Sequence, residues 1–166
     1  YGANVGFLLQ QMDLFLSAKG IGCCWQMGSK PARKIKGGSD LEFIIMLALG
    51  RPAEGVHRQS IAEFKREPLD KISSVEGMDD ILEAGRLAPS GLNNQSWYFI
   101  GGHGIINAFN TKSRLMETMN RINVGIALCH MWLAATHAGK SSDFRIDPSP
   151  PLAPNGYSYV ATMDIS

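Results

Sequence analysis

The feature that most constrains this 166-residue chain is a repeat inside it. Asn4-Val5-Gly6 recurs as Asn123-Val124-Gly125, an offset of 119. At the same offset Leu9 meets Leu128, Met12 meets Met131, Leu14 meets Leu133 and Gly20 meets Gly139. Around the first copy Val5, Leu8, Leu9, Met12, Phe15 and Leu16 recur at spacings of three and four. That period predicts a helix from Asn4 to Lys19 burying this face, with Gly20 as its stop. Val124, Ala127, Leu128 and Met131 carry the same face in the second copy. Two similar amphipathic helices would account for part of the match, and a duplicated unit for all of it. Duplication predicts the tail of one half-copy followed by most of a second, with the front of the first lying before Tyr1. Residues 1–72 are then that tail plus a connector, 73–166 the second half-copy, and 1–166 a single domain.

The remaining elements follow from period and punctuation. Gly22 to Lys36 reads as a loop rich in Gly, Lys and Arg. Leu41 to Leu49 is a continuous apolar run bounded by Gly38 and Gly50-Arg51-Pro52, which predicts a central strand covered on both faces. Residues 51–75 read as a polar connector. A helix is predicted from Val75 or Glu76 to Leu87, since Pro89 cannot continue it. Trp97 to Ile100 and Ile105 to Phe109 form a hairpin across Gly101-Gly102-His103-Gly104. A long helix follows from Ser113 to Ala138, with a candidate break near Asn123. Residues 148–156 are a Pro-rich loop and Tyr157 to Ile165 a last strand.

Composition excludes several classes. The chain is 45% hydrophobic and 19% charged, with Lys plus Arg 16 against Asp plus Glu 15 and a net charge of +1. A basic surplus typical of nucleic-acid binding is missing, and the apolar content argues against disorder. The strongest apolar run, Phe43 to Leu49, falls far short of the roughly 20 residues needed to span a bilayer. No nucleic-acid or membrane partner is therefore expected. Cys23, Cys24 and Cys129 are odd in number and lack metal-ligand spacing. Adjacent cysteines do not easily bridge each other, so reduced, inert thiols in a cytoplasmic protein are expected. His57, His103, His130 and His137 are scattered, and no metal site is expected.

Ala88-Pro-Ser-Gly-Leu-Asn-Asn-Gln-Ser-Trp97 joins a helix end to a strand start. Its hydroxyl, amide and backbone groups suit a loop that approaches a flat heteroaromatic ring closely. They equally suit a capped turn in which Ser90, Asn93 and Asn94 satisfy backbone groups. No side-chain nucleophile stands out anywhere, as fits chemistry carried by a cofactor.

The stretch Leu82 to Phe99 resembles the flavin loop of the nitroreductase family, an acid-rich helix and then Ala-Pro-Ser-x-x-Asn-x-Gln-Pro-Trp. Ala88, Pro89, Ser90, Asn93, Gln95 and Trp97 match, while Ser96 replaces the proline. Asn4-Val-Gly through Gly22 resembles the family's dimer-forming helix and following loop. Gly50-Arg-Pro with Lys65-Arg66-Glu67-Pro68-Leu69 resembles its carboxy-terminal signature. Their order fits the tandem type, in which two half-copies in one chain mimic the usual dimer.

The resemblance implies an α/β (α+β), three-layer nitroreductase-like fold with a mixed, mostly antiparallel central sheet flanked by helices. It implies FMN between the halves and NAD(P)H as electron donor. The reaction would be ping-pong reduction of a nitroaromatic, quinone or similar small-molecule acceptor. Pro89, Ser90 and Gly91 would lie along the isoalloxazine, with Asn93 near its polar edge and Gln95 completing the motif. Arg66 matches the arginine that pairs with the FMN phosphate, a contact worth about 1.5–3 kcal/mol. Gln26, Met27 and Gly28 match the place where a backbone N–H meets flavin N5. The family's amino-terminal Arg-x-Ser-x-Arg cluster has no counterpart before Tyr1, and Arg58-Gln59-Ser60 is not assigned its role. The chain would be a monomer with pseudo-dimeric halves or a homodimer. The alternatives are a flavin-binding protein without turnover and a degenerate structural module of the same fold.

Overall fold

Glycines decide how the two repeated stretches meet. Helix α1 spans Gly2–Ser17, and the longest helix, here α4, spans Glu117–His137 without a break at Asn123. A Cβ on Gly6 would lie 2.0 Å from the backbone oxygen of Ile122, and one on Gly125 1.9 Å from that of Ala3. Backbone therefore touches backbone at this crossing, which only glycine permits. Adding 119 to 3 and 6 gives 122 and 125, so the contact is reciprocal: Gly6 meets Ile122 as Gly125 meets Ala3.

The structure, a computed structural model, describes residues 1–32, 40–55 and 57–166. These form two compact units, Tyr1–Gln11 with Ser60–Ser166, and Met12–Gln59. In the first unit Leu69–Ile72 is a short helix α2, Asp79–Leu87 is α3, and the strands are β3 (Trp97–Gly102), β4 (Ile105–Thr111), β5 (Ser142–Arg145) and β6 (Tyr157–Ile165). They make an antiparallel sheet of order β3-β4-β6-β5, and Ser73 adds a parallel bridge to Phe99. The predicted hairpin is present, with Phe99 opposite Ala108. His103 and Gly104 turn it with φ of 52° and 84°, the left-handed pair that a two-residue hairpin loop needs.

α4 is buried nearly all round, from Ile122 through Cys129 and again at Met131 and Ala135. A helix apolar on every side belongs inside the molecule. It packs on α3, where Gly85 leaves room for the Met131 side chain, and against β4 and β6. Leu82, Trp97, Phe99, Ile106, Phe109, Ile122, Met131 and Met163 form the core.

The second unit departs from the sequence expectation. Cys23 to Gln26, predicted as loop, belongs to strand β1 (Gly22–Gln26), which pairs antiparallel with β2 (Met46–Gly50). The predicted loop beyond Ala32, and the Gly38 flank, lie outside the described residues, as does Val56 of the connector. Leu41–Leu49 is not a strand covered on both faces. Only Met46–Gly50 is extended, and Leu41, Phe43, Met46 and Leu49 are exposed. The strand of that character is β4, whose residues from Ile106 to Asn110 are all buried. Sequence also missed β5, whose residues are polar apart from Phe144 and mostly exposed.

The buried face of α1 differs as well. Gly2, Gly6 and Gln10 are buried, whereas Leu8, Met12 and Phe15 of the predicted face are exposed. Close backbone approach at Gly6 turns the Gly2, Gly6 and Gln10 stripe inward and leaves Leu8, Met12 and Phe15 on the exposed side.

Gly6→Ala or Gly125→Ala should force this helix pair apart. Such overpacking costs about 1–3 kcal/mol, a fall in Tm of roughly 2–10 °C for a chain of this size. Gly55→Ala, with nothing within 4 Å of the added carbon, should leave Tm unchanged. Equal Tm values for all three in a thermal melt would refute the crossing.

Candidate functional site

The loop that follows α3 carries the most strained backbone among the described residues. Leu92, Asn93 and Gln95 have φ of 57°, 57° and 46°. Left-handed backbone costs a non-glycine residue about 1–2 kcal/mol, less for Asn. Three such residues in four positions persist only where the surroundings hold them, a pattern that concentrates at functional sites.

The holding groups come from two sides. Asn123, in the middle of α4 and fully buried, accepts from the Gly91 N–H at 3.0 Å. Its amide donates to Asn94 Oδ1 at 3.2 Å and to Ser96 Oγ at 2.9 Å. From the other side Arg66 Nε donates to Ala88 O and Nη2 to Leu87 O, both at 3.2 Å. These carbonyls end α3, where orphan oxygens and the negative end of the helix dipole favour a cation. Arg66 Nη1 also donates to Asn93 Oδ1, and the guanidinium stacks over the Phe64 ring.

The loop's own side chains complete the brace. Ser90 Oγ accepts from the Gln95 N–H at 3.0 Å. Gln95 Oε1 accepts from the Glu67 N–H at 2.7 Å, and Asn93 Nδ2 donates to Lys65 O at 2.8 Å. Thr111 N–H reaches Ser96 O, tying the loop's end to β4 as Trp97 enters β3. A side chain on Gly91 would crowd Met119 Sδ at 3.3 Å, so glycine suits the close approach to α4. Leu92 stands at the tip, 79% exposed.

The residues singled out from the sequence fall into two groups. Pro89, Ser90, Gly91, Asn93, Gln95 and Arg66 come together in this one loop and its clamp. Gln26 ends β1, and Met27 and Gly28 form the turn after it, in the other unit. There Gln26 Nε2 donates to Cys24 Sγ, Trp25 Nε1 donates to Asp13 Oδ2 at 3.2 Å, and Gly28 has φ of 81°. Asn123 and Ser96 were not picked out as site residues. The signal was an asparagine inside a helix, where its side chain ordinarily weakens the fold unless it has partners elsewhere.

A family model described as "Putative TM nitroreductase" matches residues 1–135. The chain belongs to this nitroreductase family. The fold agrees with the crystal structure of a "putative nitroreductase" from Thermotoga maritima MSB8. That protein is 22% identical, with a TM-score of 0.67 over 99% of this chain and 64% of that one. The present chain thus spans 64% of that relative's length. No curated protein matches it. Among the described residues no helix is long and apolar enough to cross a membrane, and no group of three or more His, Cys, Asp or Glu could hold a metal.

Burial moves several side chains from their ordinary titration range. Burial first, and then the Arg66 charge, push His130 on α4 down to about 4. An imidazole depressed below its unfolded value of about 6.5 supports folding above that value and loses the support as pH falls. Stability should decline from pH 6.5 to 4 by at most about 3 kcal/mol for this group. His130→Gln should flatten that part of a Tm–pH profile, and an unchanged slope would refute the assignment.

Cys23 is pushed up to about 11 by burial, then by the hydrogen bond and charge of Asp13, and Cys129 to about 11 by burial. Thiolates react and thiols do not. At pH 8 the exposed Cys24 should label first, Cys23 more slowly and Cys129 only on unfolding. A fast phase surviving in Cys24→Ser would contradict this order.

Proposed function

We propose that the chain belongs to an FMN-dependent oxidoreductase of the nitroreductase type, with NAD(P)H as electron donor and a small-molecule electron acceptor. The observation that carries the reading is the Ala88–Trp97 loop: the segment matching the family's flavin motif is also the strained, doubly clamped one. Membership of the nitroreductase family supports the reaction class.

The donor set fits a flat ring. The amides of Asn93 and Gln95 are spent on Lys65, Arg66, Glu67 and the loop's own backbone, so what the loop offers outward is backbone, the half-buried Pro89 ring and the exposed Leu92 and Asn94 side chains. A rigid surface of this kind binds an aromatic heterocycle at low ordering cost. FMN bound there would supply hydride chemistry at N5. The chain's own part is to hold Pro89, Ser90 and Gly91 at a fixed height against the ring.

The donor set fits the phosphate less well. Arg66, matched to the phosphate ligand, directs its guanidinium to Leu87 O, Ala88 O and Asn93 Oδ1. Its role in this reading is to fix the loop. Gln26, Met27 and Gly28 are proposed for the N5 side, on the family resemblance alone. A cytoplasmic protein, either a monomer with pseudo-dimeric halves or a homodimer, completes the proposal.

The test is an optical titration of the protein with FMN. Quenching of flavin fluorescence, and anaerobic bleaching of the bound flavin by NADH or NADPH, are the expected results. Bound flavin that neither nucleotide bleaches would point to a binding protein without turnover. Protein that neither carries nor takes up FMN would overturn the proposal.

A further inference from the structure

We propose that Asn123 and Arg66 are positioning residues that set the conformation of the Ala88–Trp97 loop, with Ser96 the buried one of the contacts by which Asn123 holds it. The functional meaning of this clamp rests on the flavin reading of the same loop.

Asn123 spends one acceptor and two donors on three different loop residues, Gly91, Asn94 and Ser96. It sits in a 21-residue helix whose neighbouring residues are buried, so it works from a packed frame. A buried amide left without partners is costly, and all three of these bonds vanish together if the loop relaxes. Arg66 meets the loop at its start, at Ala88, and in its middle, at Asn93. Between them the two residues brace the left-handed stretch from both sides.

Ser96 explains a departure from the family pattern, which has proline there. Its hydroxyl is the acceptor for Asn123 Nδ2, in a buried bond. The residue before a proline is driven toward extended backbone, whereas Gln95 here has φ of 46°. Serine at 96 and a left-handed Gln95 therefore go together, and Asn123 stabilises the combination.

The test needs a reading of the loop that does not depend on flavin. Amide hydrogen exchange of Gly91, whose N–H donates to Asn123, supplies it, with Phe109 in β4 as a reference for the core. In Asn123→Ala, Gly91 should exchange at least about tenfold faster while Phe109 keeps its rate. Ser96→Ala should give a smaller change of the same sign, and should add little in the double variant, because Asn123→Ala already removes the bond that Ser96 makes. Arg66→Lys, which loses the planar fork, should accelerate Asn93 and Asn94. The FMN dissociation constant should rise about tenfold in Asn123→Ala.

Unchanged Gly91 exchange in both Asn123→Ala and Ser96→Ala would overturn the clamp. So would equal acceleration at Gly91 and Phe109, which would mark Asn123 as a general core residue. If Asn123→Ala does not fold, Ser96→Ala read on the same amides decides. Faster Gly91 exchange with unaltered FMN affinity would uphold the clamp and overturn the placement of flavin on this loop.

Discussion

The crossing of α1 and α4 sets the terms for the rest of the first unit. Gly6 and Gly125 let two backbones touch, and any larger side chain would hold them apart. With α1 against this one side of α4, the rest of α4 is left for α3, the sheet and the Ala88–Trp97 loop. Two residues of one Asn-Val-Gly motif divide this work: Gly125 admits α1, and Asn123, two positions back, holds the loop. Successive positions on a helix point about 100° apart, so residues 123 and 125 face nearly opposite sides. The motif serves two contacts because helix geometry separates its ends.

The loop shows how a strained conformation is kept. Left-handed backbone at Leu92, Asn93 and Gln95 would cost several kcal/mol on its own. Opposing it are hydrogen bonds from Asn123, Arg66, Ser90, Glu67 and Lys65, each worth about 1 kcal/mol net. Among the groups involved are the side chains of Asn93 and Arg66, which the family resemblance assigns to the flavin's polar edge and phosphate. Internal commitment and ligand contact compete for the same amides, and here the internal use has won for Asn93 and Gln95. What such a loop gains is a fixed backbone surface, the property a flat ligand needs most.

The sequence made the hairpin, α3, α4, β6 and the loop legible, because their signals are local. Apolar period, Pro89 as a helix stop and the Gly-His-Gly turn each act within a few residues. Apart from β1, read as loop, the unpredicted β5 and the absent break at Asn123, the failures concern which faces are covered, which is not local. Leu41 to Leu49 and the residues of β4 are both short extended-chain candidates, yet β4 has neighbours on both edges and β2 is paired with β1. On α1 the apolar period was real and its meaning was inverted. Gly6 carries no hydrophobic signal, but its close approach to Ile122 decides which side turns inward. The Asn123 role was hidden for a similar reason: an asparagine declares its partners only when the chain has folded.

Asn4 and Asn123 open the same three-residue motif on helices that meet reciprocally, yet their surroundings are opposite. Asn123 is fully buried and grips a loop, whereas Asn4 is exposed and lines an open cleft of about 220 Å³ with Ala3, Phe7, Gly125 and Phe144. Reciprocal contacts are the geometry that a two-fold relation between helices imposes. The two glycines obey it and the two asparagines do not, because a glycine contact needs only the opposite helix. An asparagine contact needs a third element, and among the described residues a loop lies against Asn123 and not against Asn4. Motif identity therefore fixes the helix crossing, while the site depends on what else is packed there.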